Sequence, residues 1–334
     1  MARIVQPTPD SIAEAAKILR GGGLVAFPTE TVYGLGANAL DADAVARIFI
    51  AKGRPSTNPI IVHVASVAEA EMIGEFSLVH PEEYYNVLWR LTDQLWPGPI
   101  TIVVRKKPTV PDIVTAGGPT VGIRMPNHPV ALALLRACGF PLAAPSANRS
   151  EQISPTTAEH VAASLGDAVE MILDGGPCAV GLESTVLDCT KVPLRILRPG
   201  MVSSQQIWDV SWLQIAGSQN TGGPSRSPGQ MRRHYAPKTR LVLDACDDFW
   251  FTAAEAPPYI PLLTYSSPRF DVDNRVWIRL PDDPDGYAAG LYAALHRLDE
   301  AAVHSGAAYI LVQHPPDSRA WDAIRDRLTR ASAA

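Results

Sequence analysis

A lysine and an arginine stand one residue apart in KGRPSTNPIIVHV, residues 52–64. Lys52 and Arg54 lie among glycine and proline residues ahead of an apolar run, which predicts a loop at the mouth of a strand. Two cations held in such a loop can bind the oxygens of a phosphate group. A solvated charge pair before an ordinary strand has the same sequence, and this motif alone does not separate the two interpretations.

Polar side chains also interrupt segments that otherwise have the pattern of buried strands. In FPTETVYGLG, residues 27–36, the glycines allow a tight backbone path, and Thr31 can then point inward. His63 lies in the apolar run PIIVHV, and Arg124 ends the strand TVGIR. A histidine in such a run is more commonly a core residue than a functional one, whereas a buried arginine requires an anionic partner.

The segment PLAAPSANRS combines a predicted strand, a proline turn and small polar groups. The backbone of Ala144 and the side chains of Ser146 and Asn148 are therefore available for ligand binding. Ser184 and Arg198 are predicted at strand ends, where α/β proteins commonly place the groups that bind ligands.

Length, charge and cysteine content limit the classes of protein to consider. At roughly 150 residues per domain, a chain of 334 residues predicts two domains. The net charge of -5 argues against general affinity for nucleic acids. The four cysteines form no CxxC pair, so neither a zinc site nor a disulfide framework is predicted. No apolar run approaches the ~20 residues of a membrane span, and the N-terminus lacks a signal-peptide pattern, so we expect a cytoplasmic protein without a membrane partner.

The pattern of apolar residues divides the chain into three parts. The first domain is predicted over residues 1–215, with Asp10 as the N-cap of its first helix. Residues 216–238 have the composition of a linker and contain no predicted core positions. Strands and helices then alternate over residues 239–334 and end in a helix over 318–331, which predicts a small α/β domain with a mainly parallel sheet.

Seven motifs resemble, in order and spacing, those of the threonylcarbamoyl-AMP synthase family in its longer, two-domain form. They are PTETVYGLG, KGRPSTNPIIVH, VGIRMPNHP, APSANRS, GLESTVLD, LRPG and SPGQMRRHYAPKT. The motifs cover residues 7–239, and the C-terminal domain matches only by its size and pattern. The resemblance implies an α/β fold, in which a YrdC-like domain with a twisted mixed sheet and an open concave pocket precedes a small Rossmann-like α/β domain.

The same resemblance implies roles for individual residues. Lys52 and Arg54 would be the catalytic cations. The threonine site would comprise Thr31, His63, Arg124, Ala144 and Ser184. The ATP site would comprise Lys52, Arg54, Asn58, Thr120, Ser146, Asn148, Ser154, Arg198, His234 and Tyr235. Within this set, Arg124 is suited to bind the amino-acid carboxylate through two parallel hydrogen bonds.

The implied reaction condenses L-threonine, bicarbonate or CO2, and ATP into threonylcarbamoyl-AMP and pyrophosphate. Mg²⁺ would enter with ATP, and no metal site built by the protein is implied. The product would pass to a tRNA threonylcarbamoyl transferase complex, and direct contact with tRNA would be weak at most. Because the sequence shows no Ser/His/Asp triad or pair of carboxylates, we expect catalysis by positioning and electrostatics, without a covalent enzyme intermediate.

Two other functions are compatible with a YrdC-like domain. One is an RNA-binding module, against which the acidic net charge counts. The other is a carbamoyltransferase that acts through carbamoyl-AMP, but such proteins also carry zinc-type CxxC repeats, which this sequence lacks. The linker segment SPGQMRRHYAP has two interpretations as well: a lid that closes over the pocket and brings His234 and Tyr235 to the nucleotide, or a solvated connector.

Overall fold

The computed structural model describes residues 3–76, 86–216, 234–244, 249–267 and 276–333. The chain forms two units. The first comprises residues 1–150, 155–179 and 183–230, and the second comprises residues 151–154, 180–182 and 231–334. The second unit thus includes two short segments that precede the predicted boundary at residue 215. Most of the predicted linker and lid, residues 217–233, lies outside the described residues.

Within the described part of the first unit, eleven strands form one mixed sheet. In chain order they are β1 (Arg3–Val5), β2 (Val25–Phe27), β3 (Gly34–Asn38), β4 (Val62–His63), β5 (Ile100–Arg105), β6 (Thr120–Arg124), β7 (Leu142–Ala143), β8 (Met171–Leu173), β9 (Thr185–Asp188), β10 (Leu194–Arg198) and β11 (Ile215–Ala216). Their order across the sheet is β1-β8-β2-β3-β7-β4-β6-β5-β9-β10-β11. Pairs β4–β6 and β5–β9 are parallel, whereas β5–β6 and β4–β7 are antiparallel. The predicted mixed sheet is therefore confirmed.

The described helices of this unit flank the sheet. They are α1 (Pro9–Arg20), α2 (Ala42–Lys52), α3 (Val67–Ile73), α4 (Val87–Leu95), α5 (Pro129–Cys138), α6 (Ala158–Leu165) and α7 (Ser204–Ser211). The predicted cap at Asp10 is wrong, because Thr8 caps α1 and forms a reciprocal capping box with Ser11, which places Asp10 in the first turn.

Apolar side chains from the helices bury the strands in two separate clusters. One cluster includes Leu19 of α1, Leu134 of α5 and Phe27 of β2. A larger cluster includes Ile48 of α2 and Ile102 of β5. Burial of this apolar surface fixes the register of the central strands, because a slip of one residue would turn each apolar side chain to the opposite face. Polar residues at the ends of these strands are consequently held in place.

The second unit contains a four-stranded parallel sheet in its described part. The strands are β12 (Arg240–Asp244), β13 (Leu262–Thr264), β14 (Trp277–Arg279) and β15 (Tyr309–Gln313), in the order β12-β15-β13-β14. All three pairs are parallel, which confirms the predicted sheet. The accompanying helices are α8 (Phe249–Glu255), α9 (Pro284–Ser305) and α10 (Asp322–Ser332).

Two sequence predictions for this unit need correction. The final helix begins at Asp322 and not at residue 318, because a single 3₁₀ turn, Arg319–Trp321, precedes it. The predicted linker also contains core positions, since Tyr235 and Ala236 are 1% and 6% exposed. Among the described residues, no helix is both long enough and apolar enough to span a membrane.

Candidate active site

Lys52 is the last residue of α2 and is buried, so it lies just ahead of the predicted loop, which holds Arg54. Gly53 follows in the left-handed region at φ 59°, which ends the helix and turns the chain toward Arg54. The Lys52 ammonium donates to the carbonyl oxygen of Ser146 at 2.6 Å, to the carbonyl oxygen of Asn148, and to Asn148 Oδ1 at 3.4 Å. Lys52 therefore ties α2 to the segment that carries Ser146 and Asn148.

The electrostatic setting of Lys52 is unusual for a lysine. Burial, with a smaller contribution from the nearby Arg54 guanidinium, places the pKa of Lys52 well below its usual range. Its three hydrogen-bond acceptors are all neutral oxygens. An anionic ligand near this group would favour the charged ammonium, because an opposite charge raises the pKa of a lysine.

Arg54 is also buried, and main-chain carbonyl groups hold its side chain. Its Nε donates to the Asn58 carbonyl oxygen at 3.3 Å, and its Nη2 donates to the Pro59 carbonyl oxygen at 2.9 Å. These bonds fold residues 53–59 into a compact loop ahead of β4. The predicted ATP contact Asn58 lies in that loop and is 5% exposed.

Arg124 lies at the end of β6, and a buried carboxylate is its ion-pair partner. Its Nη2 is 2.8 Å from Glu30 Oε1, and its Nη1 donates to Thr31 Oγ1 at 2.9 Å. The expected anionic partner is thus present. Glu30 was not among the residues predicted for the site. Its place in the turn FPTETVYGLG was nevertheless a signal, because a carboxylate that is buried there needs a cationic partner.

His63 is the neighbour of Arg124 in the parallel pairing of β4 with β6. Burial and the adjacent Arg124 guanidinium lower the pKa of His63 to about 3, although a hydrogen bond with the Ile61 backbone opposes this shift. The ring of Phe27 meets the imidazole edge-on, with 6.2 Å between the ring centroids. His63 is therefore neutral at physiological pH and can hydrogen-bond a polar ligand group without adding charge.

Ser184 and Arg198 meet at the start of β9 and the end of β10. Arg198 donates from Nε and Nη2 to the Ser184 carbonyl oxygen at 3.1 and 3.0 Å, and from Nη2 to Ser184 Oγ at 3.1 Å. Ser184 Oγ is also 2.7 Å from Thr101 Oγ1. A Cβ on Gly200 would lie 2.3 Å from the Thr185 nitrogen, so only glycine permits this close approach of the two segments.

Strand order brings the threonine-site candidates to neighbouring strands. Ala144 directly follows β7, and its N–H donates to the Ile61 carbonyl oxygen at 3.0 Å, so this N–H serves the sheet and not a ligand. Strands β7, β4, β6, β5 and β9 are consecutive in the sheet. His63, Arg124 and Thr101 lie at adjacent positions of β4, β6 and β5, whereas Ala144 follows β7 and Ser184 directly precedes β9.

A cavity of about 500 Å³ lies at the end of β5 and β6 where Arg105 pairs with Thr120, which is the opposite end from Thr101 and Arg124. Its lining includes the predicted ATP residue Thr120 together with Thr57, Arg105, Thr115 and Lys191. This volume lies within the ~300–1,000 Å³ that is typical of pockets for small ligands.

The other three ATP-site candidates belong to the second unit. Ser154 is fully buried, and its carbonyl oxygen lies 3.2 Å from His296 Nε2. The Tyr235 ring stacks on Tyr292 with 5.9 Å between the centroids, and the Arg327 guanidinium lies 5.1 Å from the centre of the Tyr235 ring. His234 is buried beside Tyr235. Contact of Ser154, His234 and Tyr235 with a nucleotide stays a prediction.

The described residues contain no group of three or more His, Cys, Asp or Glu side chains arranged to hold a metal ion. Cys138, Cys178 and Cys189 are buried free thiols, and Cys246 lies outside the described residues. Burial raises the pKa values of Cys138 and Cys178 to about 12, so neither is a reactive thiolate.

Two family models together match most of the chain. The model described as "Telomere recombination", which covers Sua5, YciO and YrdC proteins, matches residues 17–200. The model described as "Threonylcarbamoyl-AMP synthase, C-terminal domain" matches residues 202–333. The change between the two models therefore falls near residue 201, ahead of the predicted linker.

Individual relatives give the same result. The threonylcarbamoyl-AMP synthase of Bacillus subtilis is 40% identical over 342 residues, which cover 96% of this chain and 92% of the relative. Pyrococcus abyssi Sua5 complexed with L-threonine has a TM-score of 0.83 at 37% identity and covers 99% of this chain and 97% of its own. The H234A/Y235A variant of the same Sua5 has a TM-score of 0.84 at 36% identity, with 99% and 96% covered. The chain therefore belongs to the threonylcarbamoyl-AMP synthase family.

Proposed function

We propose that this chain is a threonylcarbamoyl-AMP synthase, which condenses L-threonine, bicarbonate or CO2, and ATP into threonylcarbamoyl-AMP and pyrophosphate. One observation in the site carries the proposal. Arg124, a buried arginine at a strand end, lies beside a neutral buried histidine, His63, and bonds to the hydroxyl of Thr31. A guanidinium beside a hydroxyl and a neutral imidazole, with the Glu30 carboxylate as its counter-ion, suits a small amino acid that has a carboxylate and a hydroxyl.

The threonine site is proposed around Arg124. Its guanidinium would bind the substrate carboxylate, because a planar guanidinium matches the geometry of a carboxylate. Thr31, His63 and Ser184 supply neutral polar groups on the surrounding turn and strands. The crystal structure of Pyrococcus abyssi Sua5 with L-threonine supports the assignment of this amino acid.

The ATP site is proposed at the cations of the same unit. Arg54, Arg198 and Lys52 would offset the repulsion between the carbamate and the triphosphate and then stabilise the departing pyrophosphate. Lys52 also positions Ser146 and Asn148, through which the loop after β7 would contact the phosphates. The cavity beside Thr120 has room for the nucleoside. ATP is proposed to bind as its magnesium complex, in which Mg²⁺ belongs to the substrate.

The chemistry divides into two steps. The threonine amine first combines with CO2 or bicarbonate to give N-carboxythreonine. An oxygen of that carbamate then attacks the α-phosphorus of ATP, and the bond to the β-phosphate bridging oxygen breaks as pyrophosphate leaves. The protein would contribute mainly position and charge, and alignment of this kind lowers barriers by ~7–11 kcal/mol in well-oriented systems.

Pyrophosphate release tests the proposal directly. We expect the purified full-length chain to release pyrophosphate from ATP only when both L-threonine and bicarbonate are present, and to form threonylcarbamoyl-AMP detectable by mass spectrometry. Release that needs threonine but forms only threonyl-AMP, without incorporation of labelled bicarbonate, would show an ordinary amino-acid adenylation. Release with carbamoyl phosphate in place of threonine and bicarbonate would indicate a carbamoyltransferase.

Amino-acid selectivity tests the threonine site separately. Valine should be rejected by ~10⁴–10⁵-fold in kcat/KM, because it leaves the polar groups that bind the threonine hydroxyl unpaired. Serine should lose only ~10–200-fold, because it lacks one methyl group. Equal activity with valine and threonine would show that the site does not bind the hydroxyl group.

We further propose that the product is passed to a tRNA threonylcarbamoyl transferase complex in the cytoplasm, where ATP and tRNA are available. Threonylcarbamoyl-AMP is a mixed anhydride of a carbamate and a phosphate, so its natural reaction is transfer of the threonylcarbamoyl group to a nucleophile. The net charge of -5 supports at most weak direct contact with tRNA.

A further inference from the structure

Glu30 is a buried carboxylate to which the reaction as described assigns no role. It lies in the turn between β2 and β3 and is 5% exposed. Neither of its carboxylate oxygens has a hydrogen-bond partner among the described residues. Oε1 does lie 2.8 Å from Arg124 Nη2, but this contact is an ion pair without the alignment of a hydrogen bond. Buried carboxylates usually accept several hydrogen bonds, so this one has unused capacity for a donor.

The other ionisable groups near Glu30 do not donate a hydrogen bond to its carboxylate. His128, at the N-terminus of α5, has a pKa that burial lowers and the Glu30 charge raises, and its Nδ1 accepts from the Val130 N–H at 3.2 Å. The Cys178 thiol has a pKa raised by burial and further by the Glu30 charge. Arg124, His128 and Cys178 come from β6, the start of α5 and the loop after β8. Of these three groups, only Arg124 carries a permanent positive charge.

The Arg124–Glu30 pair has the charge pattern that complements an amino acid. An α-amino acid carries a carboxylate and an ammonium on one carbon atom, a few ångström apart. Arg124 and Glu30 present a cation and an anion at a comparable separation of 2.8 Å, with Thr31 of the proposed threonine site bonded to the same guanidinium. A zwitterion that binds alongside this contact pair, with its carboxylate toward Arg124 and its ammonium toward Glu30, leaves no charge unpaired.

We propose that Glu30 binds the α-ammonium group of the amino-acid substrate while Arg124 binds its carboxylate. This inference rests on the proposed function, because it concerns the same threonine site. The site would then recognise three features of threonine: the carboxylate, the hydroxyl and the amine. A ligand that lacks the amine leaves Glu30 without its partner and binds less tightly.

The same contact places a proton acceptor at the reacting nitrogen. Glu30 takes one proton from the substrate ammonium, which gives a neutral carboxylic acid and a free amine. The amine nitrogen then attacks the carbon of bicarbonate and a C–N bond forms. The C–OH bond breaks, and the hydroxyl leaves as water with one proton from the amine, which gives the carbamate anion. Glu30 returns its proton to solvent when the product leaves. Charge and atoms balance, and bicarbonate is the only co-reactant in this step.

Glu30 could instead act only as the counter-ion that positions Arg124. Both roles predict that Glu30→Gln weakens threonine binding, so loss of affinity alone does not separate them. The discriminating quantity is the preference for an amine. We therefore compare L-threonine with 2,3-dihydroxybutanoate of matching stereochemistry, in which a hydroxyl replaces the amine and the carboxylate is kept.

The experiment measures binding of both compounds by calorimetry to the wild type, Glu30→Gln, Glu30→Asp and the exposed control Glu14→Gln. The wild type should prefer threonine by about 10- to 100-fold, the range expected for a hydrogen bond between charged groups. Glu30→Gln should bind the two compounds within about threefold of each other, because its amide carries no charge to attract the ammonium. Glu30→Asp and Glu14→Gln should keep the preference.

Turnover supplies the second measurement. In Glu30→Gln, kcat for pyrophosphate release at saturating threonine should fall about 10²- to 10⁴-fold, the usual contribution of a general base, with Glu30→Asp retaining more activity. A purely positioning role would leave the preference for threonine over the analogue unchanged in Glu30→Gln, and that result overturns the proposal. If Glu30→Gln does not fold, equal binding of the two compounds by the wild type overturns it equally well.

These outcomes are distinct from failure of the proposed function. A wild type that releases no pyrophosphate with threonine and bicarbonate refutes the function itself. A wild type that is active but shows no preference between amine and hydroxyl refutes only the role of Glu30.

Discussion

Two buried basic residues, Lys52 in the first unit and Arg327 in the second, are held in different ways. In the first unit, Lys52 donates to the carbonyl oxygens of Ser146 and Asn148 and to an amide oxygen, all of which are neutral. In the second unit, Arg327 is 1% exposed, and its Nη1 lies 2.7 Å from the carboxylate of Asp326. The guanidinium of Arg327 also lies over the ring of Tyr235.

This difference indicates different roles for Lys52 and Arg327. Because burial lowers the pKa of Lys52 and its partners are neutral oxygens, an anionic ligand such as a triphosphate is the group that would stabilise its charged form. Arg327 is already neutralised by a carboxylate, so its burial contributes to the internal structure of the second unit. We therefore expect loss of the first kind of cation to affect catalysis most, and loss of the second kind to affect stability most.

The largest effect is expected from Arg54→Ala. Removal of a cation that stabilises transferring phosphate groups should lower kcat/KM for pyrophosphate release by about 10³–10⁵-fold. Lys52→Ala should lower it as well, partly because the segment with Ser146 and Asn148 loses its anchor. Steady-state kinetics at saturating threonine would measure both, with the exposed Lys17→Ala of α1 as the control. Near-normal turnover of both variants would refute the phosphate assignment.

Arg327→Met sharpens the other half of the comparison. It removes one of the two arginine partners of Asp326, which keeps its contact with Arg330, and it removes the cation over Tyr235, so the free energy of unfolding of the second unit should fall by about 1–3 kcal/mol. Urea denaturation monitored by tryptophan fluorescence would measure the loss. The exposed Arg319→Met should change it by less than about 0.5 kcal/mol. If both variants were equally stable, Arg327 would have no special structural role.

His63 predicts a dependence of stability on pH. Its pKa is 6.5 in the unfolded chain and about 3 in the folded one, so the unfolded state binds more protons between these values. The free energy of unfolding should therefore fall as the pH drops below about 6.5, by up to about 1.4 kcal/mol per pH unit from this residue. Above about pH 7.5 the contribution is absent.

Comparison of the wild type with His63→Gln isolates this contribution. Denaturation midpoints measured at several values between pH 7.5 and pH 5 should converge for the two proteins as the pH falls, or cross, because only the wild type must keep a buried histidine neutral. Parallel pH profiles would mean that His63 has the same pKa in the folded and the unfolded protein. That result would also change the proposed site, since His63 would then add a charge beside Arg124 below about pH 6.5.

The smallest effect is expected from an exposed ion pair. Arg3 and Glu14 form a contact at the surface, where their side chains are 53% and 49% exposed. Arg3→Ala should change the free energy of unfolding by no more than about 1 kcal/mol, because solvent screens the attraction. A loss above about 2 kcal/mol in the same urea assay would show that exposure is a poor guide to the value of ion pairs in this protein.

Much of the architecture follows from local sequence patterns. The periodicity of apolar residues identified the alternation of strands and helices in the second unit, and its parallel sheet was correctly inferred from it. Asp41 lies just ahead of α2 and caps it by accepting from the N–H groups of Asp43 and Ala44, a local arrangement typical of its residue type. The cap of α1 was misplaced because Thr8 and Asp10 are both suitable residues, and only the reciprocal bonds between Thr8 and Ser11 decide between them.

The sequence by itself determined the types of side chain available to the site and their order along the chain, including the requirement that a buried Arg124 find an anion. Tertiary structure alone decided that this anion is Glu30 and that the Lys52 ammonium bonds to the carbonyl groups of Ser146 and Asn148. The reason is physical. Helix and strand periodicity arises from neighbouring residues, whereas these contacts join residues far apart in the chain, and they exist only once burial of the apolar surface has fixed which strands are adjacent.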